Sequence, residues 1–260
     1  MEWRWGGGST ERFPEFAADV VQRNVDIIVA PSDAAGLAAQ RETKHIPIVL
    51  FSGDPIGAGL VDSLSHPGGN ITGVSSQSTD LAAKRLQILK EMIPSASRVA
   101  LLADANDLPA RHSVEEAQSA ARTVGVRLKV HQVGHPGELP TAFSTIAKQR
   151  AGAVLIVGGT MFYANRVELA KLALKNRLPM MCGTREFADA GCLISYGANL
   201  SERFRRLAYF VDRILKGTKP SELPVEQPTR FEMVVNLKTA KALGIDIPRP
   251  AFDRIDEVIR

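Results

Sequence analysis

Short aliphatic or β-branched runs recur along the chain, each closed by glycine, proline or polar residues: VDIIVA at 25–30, IPIVLF at 46–51, ITGVS at 71–75 and RVALLA at 98–103. RLKVHQV (127–133), AVLIVGG (153–159), LPMMCG (178–183) and CLISYG (192–197) continue the series. Their lack of strict alternation predicts strands covered on both faces, as in a parallel sheet flanked by helices. Amphipathic stretches lie between them. Residues 12–23 place Phe13, Phe16, Ala17, Val20 and Val21 on one face, and residues 80–92 do the same with Leu81, Leu86, Leu89 and Met92. Residues 111–124, 138–149, 162–176 and 199–217 complete the set, each ending near glycine, proline or a basic residue. In the last of these Phe204, Leu207, Ala208, Val211 and Leu215 are expected to face inward beneath a basic wet face. Strand and helix in alternation predict an α/β fold with crossover helices.

Two stretches repeat one order. Residues 25–75 and 153–197 each run strand, polar turn, helix, basic residue, a strand opened by Ile-Pro or Leu-Pro, and a glycine-flanked last strand. The likeness extends backwards: EWRWGGGSTERFPEFAADVVQRN matches KVHQVGHPGELPTAFSTIAKQRA, each read as strand, Gly/Pro loop and helix. The second half has one further strand and helix, RVALLADANDLPARHSVEEAQSAARTVG, with no counterpart before Met1. By this symmetry the first lobe is expected to be incomplete by a βα unit of roughly 30 to 40 residues. In a sheet of order 2-1-3-4-5 that unit holds the central strand, so EWRW and VDIIVA are expected to be separated by a gap or to pair directly.

A length of 260 residues suits two lobes. The first is expected at 1–93 with about 199–224, the second at 97–196 with about 229–260, and the hinge at about 94–96, 197–198 and 225–228. Hydrophobic content of 45% and charged content of 23% are those of a globular chain. The net charge of +4 comes from basic residues scattered among acids, and without a DNA-reading motif no nucleic-acid partner is expected. No apolar stretch approaches the ~20 residues needed to span a bilayer, so direct membrane insertion of this chain is not expected. MEWRWGGGSTER has no apolar core of a signal peptide.

Candidate chemistry is sparse. His45, His66, His112, His131 and His135 lack nucleophile or metal-ligand spacing. GGGST lacks the Gly-Lys of a phosphate-binding loop, and no G-x-G-x-x-G opens a helix after a strand. Cys182 and Cys192 lack redox or zinc spacing; two buried thiols are the first reading, with a disulfide left open. A two-lobed racemase needs a cysteine at each cleft lip, and both of these come from the second lobe. No catalytic residue, metal or cofactor is therefore expected, and the chain is not read as an enzyme.

VDIIVAPSDAAGLAAQ, IPIVLFSGDPIGAGLVDSLSHPGGNITGVS, LAAKRLQILKEMIPSASRVALL and the long stretch from REFADAG to NLKTAKALG closely resemble one family. It is the ABC-transporter substrate-binding proteins of the tryptophan/tyrosine-type group, with the type I periplasmic-binding-protein fold. The resemblance implies two doubly wound parallel-sheet lobes joined by a multi-crossing hinge, and capture of a small organic ligand, an amino acid or other carboxylate, between them. It also implies a membrane permease as partner, a periplasmic or other extracytoplasmic location, and an upstream leader followed by a first strand and helix. A ligand-sensing effector domain of a regulator shares this architecture but calls for a DNA-reading segment. A non-functional truncated fragment is a further alternative.

In such a fold the ligand sits at the carboxyl ends of the strands, where helix N-termini offer unpaired N–H groups. In the first lobe, APSDAAG offers Ser32 or Asp33 as helix cap, with the Ser32 hydroxyl facing the cleft. SGDPIGAG lets backbone approach closely, with Asp54 as cap of a helix at 55–64 or partner of a ligand ammonium. Ser75 and Ser76 offer hydroxyls. In the second lobe GGTMFYANR is the twin of APSDAAG: Thr160 caps, and Phe162 and Tyr163 cover an apolar or aromatic ligand group, with one ring packed inward. The resemblance implies an acidic residue at this exit in amino-acid binders; Thr160 departs from that and counts against an α-amino-acid ligand. Arg185 as a carboxylate clamp, Glu186 and Tyr196 complete the candidates.

Overall fold

The computed structural model describes residues 1–76 and 81–260. The chain divides into two compact units, Met1–Gln77 with Leu200–Thr229, and Ser78–Asn199 with Arg230–Arg260.

The first unit holds α1 (Phe13–Gln22), β1 (Ile28–Ala30), α2 (Asp33–Glu42), β2 (Ile48–Ser52), β3 (Ile71–Ser75) and α9 (Leu200–Leu215). Its three strands are all parallel in the order β1-β2-β3. One face packs Ala30, Ile48, Leu50 and Ile71 with Ala39 of α2 and Leu60. The other packs Val49 and Val74 with Leu207 and Phe210 of α9. Both faces are therefore covered, as the unbroken apolar runs predicted. Of the expected inward stripe of α9, Leu207 is buried and Val211 packs against the core, but Phe204 and Leu215 are 48% and 64% exposed and Ala208 is exposed; Arg203 and Phe210 are buried instead. Arg203 explains the shift, because its guanidinium covers the ring of Phe51 at 4.4 Å and its chain fills a core position that polarity alone assigned to solvent.

The strand expected at Glu2–Trp5 does not form. A strand needs a ladder partner, and β1 is an edge of its sheet with β2 as its neighbour; Glu2–Trp5 pair with neither, and Trp3 and Trp5 stack on each other at 5.9 Å, largely exposed. Nor does a helix form at 55–64. Its hydrogen bonds run from Gly59 N–H to the Ile56 carbonyl and from Leu60 N–H to the Pro55 carbonyl, and Gly59 has φ +68°, so the segment is a chain of turns.

The second unit holds α3 (Leu81–Met92), β4 (Arg98–Asp104), α4 (Leu108–Val124), β5 (Arg127–Val133), α5 (Leu139–Lys148), β6 (Ala153–Val157), α6 (Thr160–Ala164) and α7 (Arg166–Lys175). It continues with β7 (Met180–Cys182), α8 (Arg185–Asp189), β8 (Ile194–Gly197), β9 (Glu232–Asn236), α10 (Leu237–Leu243), α11 (Arg249–Phe252) and β10 (Glu257–Ile259). The expected start of the helix at 80 lies outside the described residues. That helix, α3, was expected in the first lobe; Leu86, Leu89 and Met92 instead share a core cluster with Val99, Leu101 and Leu155, so it packs with the second unit.

Seven strands form one sheet in the order β10-β9-β8-β7-β6-β4-β5, parallel throughout except for the β8–β9 pair. β4 shows how the sheet is buried on both sides: Val99, Leu101 and Ala103 enter one core cluster, Ala100 and Leu102 the other. Each fully buried leucine or isoleucine contributes about 1.5–3 kcal/mol. At the edge, β5 alternates exposed and half-buried positions because only one neighbour covers it. The predicted helix over 162–176 is two, broken at Asn165, whose side chain bonds the Met161 carbonyl at 2.9 Å.

Candidate functional site

In the first unit three strand exits carry the candidates. Ser32 is extended (φ −162°, ψ 163°) and its Oγ accepts the Ala35 N–H at 3.2 Å, so it is the cap of α2. Asp33 is not the cap. Its buried carboxylate accepts the Ser52 hydroxyl through Oδ1 and the Gly53 N–H at 2.9 Å through Oδ2, tying the α2 turn to the end of β2. Burial pushes the Asp33 carboxyl up, against the opposing pull of those hydrogen bonds. Asp54 Oδ1 accepts the Gly57 N–H at 2.9 Å and so closes a turn instead of capping a helix. Ser75 and Ser76 are buried; their N–H groups donate to the carbonyls of Glu226 (2.8 Å) and Ser52 (2.7 Å). Glu226 is itself gripped by Arg206.

In the second unit the exit of β6 is Gly158-Gly159. Gly159 is the cap residue of α6 and Thr160 its first helical residue, so the expected cap is one position off. Phe162 is fully buried, the inward ring of the pair. Tyr163 is half-buried, edge-on to Phe187 at 6.2 Å and beneath the Arg166 guanidinium at 4.8 Å. At the β7 exit Arg185 is already engaged: Glu257 takes both terminal nitrogens, one at 2.7 Å, and Asp189 lies 3.4 Å from Nε. That pairing holds Arg185 firmly charged and Glu257 below the usual carboxylate range. Beside it Thr184 Oγ1 and Glu186 Oε2 are buried, and each has no hydrogen-bond partner among the described residues. Buried polar atoms are normally paired, so these two stand among the exceptions of the fold.

Tyr196 is half-buried at the end of β8, its ring 5.9 Å from that of Phe231. Its carbonyl accepts Arg85 Nε at 2.8 Å. Arg85 is 6% exposed and lies along the glycines that end β7 and β8: a Cβ at Gly183 or Gly197 would stand 3.1 or 3.4 Å from its Nη2. Sequence reasoning missed this buried cation, although its register with Leu81 and Leu89 places it on the inner face of α3. It also missed Asp104, the last residue of β4, which is 5% exposed and whose Oδ1 accepts the Asn106 N–H at 3.0 Å. Burial pushes the Asp104 carboxyl up. Among the described residues no group of three or more His, Cys, Asp or Glu side chains is placed to hold a metal. Cys182 and Cys192 are buried free thiols with Sγ atoms 2.7 Å apart.

Two α/β units, entered by a chain that passes between them three times, with hydroxyls, buried carboxylates and glycines gathered at strand ends, define the type I periplasmic-binding-protein architecture. The model of the ABC transporter substrate-binding protein family matches residues 3–259, and the chain belongs to that family, the solute-binding components of such systems. It is similar to a tyrosine-binding protein of Clostridioides difficile, with 24% identity over 241 residues, 92% of this chain and 68% of that protein. The ABC domain from Streptococcus pneumonia solved in complex with L-Trp superposes with a TM-score of 0.87 at 23% identity, over 97% of this chain and 87% of that one. A conserved domain protein from Vibrio cholerae superposes with a TM-score of 0.89 at 24% identity, over 96% and 84% of the two chains. At these identities the solved structures establish the fold.

Proposed function

We propose that this protein is the capturing component of an ABC import system for a small organic carboxylate, with amino acids the leading class. The observation that carries the reading is the family match over residues 3–259. The ligand is held at strand exits, and binding shifts the protein toward the form offered to a membrane permease. The residues put forward from the first unit are Ser32, Ser75, Ser76 and the turn at Asp54, with Asp33 bracing two of these exits together. From the second unit they are Thr160, Tyr163, Glu186 and Tyr196, with Phe162 as packing beneath them and Arg185 as an anchor of the C-terminal strand.

An amino-acid ligand is supported by two relatives, one named as a tyrosine-binding protein and one solved with L-Trp. These relatives favour an amino acid despite the departure at Thr160. Work of this kind takes place outside the cytoplasm, in the periplasm or its equivalent. No chemical step is assigned: the ligand leaves as it entered.

The test is native mass spectrometry of the purified chain with L-tyrosine, L-tryptophan and benzoate, followed by recovery of the bound molecule. The expected result is a one-to-one complex from which the ligand returns unaltered. A recovered product of different mass, or no complex with any of the three, removes the reading.

A further inference from the structure

We infer that Asp104 is the counter-ion for a cationic ammonium on the ligand and sets the preference of the site for amino acids over plain carboxylic acids. This rests on the solute-binding reading above and deepens it.

The strand order places Asp104. In the second sheet the chain starts at β4, goes to β5 on one side, then returns to β6 on the other and proceeds outward through β7 and β8. β4 and β6 are thus the pair at which the direction of winding reverses, and the crevice beyond the carboxyl ends of such a pair is where open α/β sheets take their ligands. Asp104 ends β4, and Gly158-Gly159 follow the end of β6.

The surroundings then favour a cation. Asp104 continues the register of Ala100 and Leu102, which face the apolar cluster containing Phe162, so its carboxylate stands at the rim of a dry layer. It is 5% exposed, yet among the described residues no basic side chain pairs with it. Its Oδ1 takes one backbone N–H, from Asn106, and the described residues give its second oxygen no hydrogen bond. A carboxylate so desolvated, with half its acceptor capacity unused, gains from an arriving ammonium. The glycines make room for it. A Cβ at Gly158 would stand 2.7 Å from Asp104 Cβ, and one at Gly159 would stand 3.0 Å from Asp107 Oδ1, so any larger residue there would press on both aspartates.

The ligand's carboxylate is left to N–H groups and hydroxyls at strand exits, which suit an anion. A zwitterion therefore satisfies both, and an acid without the amine leaves Asp104 buried and unanswered.

The experiment is calorimetric titration of the full chain with L-tyrosine and L-tryptophan and with their deaminated acids, 3-(4-hydroxyphenyl)propionate and indole-3-propionate. It is run on the wild type, Asp104→Asn and, as the control, Glu168→Gln, an exposed carboxylate of α7. Asparagine keeps the Oδ1 acceptor for Asn106, so the turn is retained. In the wild type the amino acid is expected to bind roughly 30-fold or more tighter than its deaminated partner. Asp104→Asn is expected to erase most of that ratio by weakening the amino acid alone, and Glu168→Gln to preserve it. The inference is overturned if Asp104→Asn leaves the ratio intact, if it weakens both ligands equally, or if Glu168→Gln erases the ratio as well. The wild-type ratio needs no variant, so equal binding of the two acids overturns the inference even if Asp104→Asn does not fold, while leaving solute binding in place. Binding of neither acid by the wild type removes the underlying reading and the inference together.

Discussion

A Cβ built on Gly197 would stand 1.8 Å from the carbonyl oxygen of Gly183, so the ends of β8 and β7 touch backbone to backbone. The obstacle is main chain, which cannot swing aside as a side chain can. Gly197→Ala is expected to cost about 1–3 kcal/mol or more through overpacking and to disturb the exits that hold Arg85 and Tyr196. Gly134→Ala is the control, since the nearest atom to its Cβ would be Asn106 Nδ2 at 3.9 Å. Denaturant unfolding of both variants checks the difference; equal midpoints would contradict this contact.

Asp33 joins two strand exits through Ser52 and Gly53, and its replacement leaves those donors unanswered. Asp33→Ala is expected to lose about 1–3 kcal/mol. Its carboxyl is raised in the folded state, mainly by burial, so its contribution is fully present below the unfolded-state value and is lost as pH rises through the folded one. Urea midpoints from about pH 4 to 7 should therefore show a declining component in the wild type that Asp33→Asn lacks.

Arg185 and Glu257 run the other way. Glu257 is depressed by its partner, so the pair's stabilisation is present above the ordinary carboxylate value and lost as pH falls through the depressed one. The side chains are 35% and 45% exposed, so solvent screens the pair, and Arg185→Ala is expected to cost no more than about 1 kcal/mol. Because the guanidinium is occupied, ligand affinity is expected to be unchanged. A large loss of affinity in calorimetry would restore Arg185 as a direct carboxylate clamp.

Cys182 and Cys192 are fully buried, and burial together with the neighbouring thiol pushes Cys182 well above the usual thiol range. The thiolate is the reactive form. Neither cysteine is expected to react with an aromatic disulfide reagent in the native protein, and both should react after unfolding in denaturant. Native labelling, or silence in denaturant, would contradict the free buried pair.

The sheet strands were legible because runs such as ITGVS and RLKVHQV are bounded by their own turn residues, and both are strands over those very residues. What depends on a neighbour was not. Glu2–Trp5 has the composition of a strand and no ladder to join; Gly57 and Gly59 turn a well-capped stretch into turns; Asn165 splits one helical pattern into two. The inner face of α9 was read correctly at Leu207 and Val211 and misplaced at Phe204, because a buried arginine over Phe51 has the same letter as a solvated one. The site was legible in outline, since glycines and hydroxyls after strands mark exits. Its polar pairing was not: Asp33, Ser52 and Gly53, and Arg185 and Glu257, meet only through the fold. Asp104 closes a strand and reads as an ordinary turn residue until the order β6-β4-β5 puts it at the switch point.

The proposed role rests on an amino acid held intact by hydrogen bonds and charge. Isothermal titration of the full chain with L-tyrosine and L-tryptophan tests it most directly. Saturable one-to-one heat with at least one of them, and no change in the recovered amino acid, is the result it requires. Flat titrations with both would contradict it.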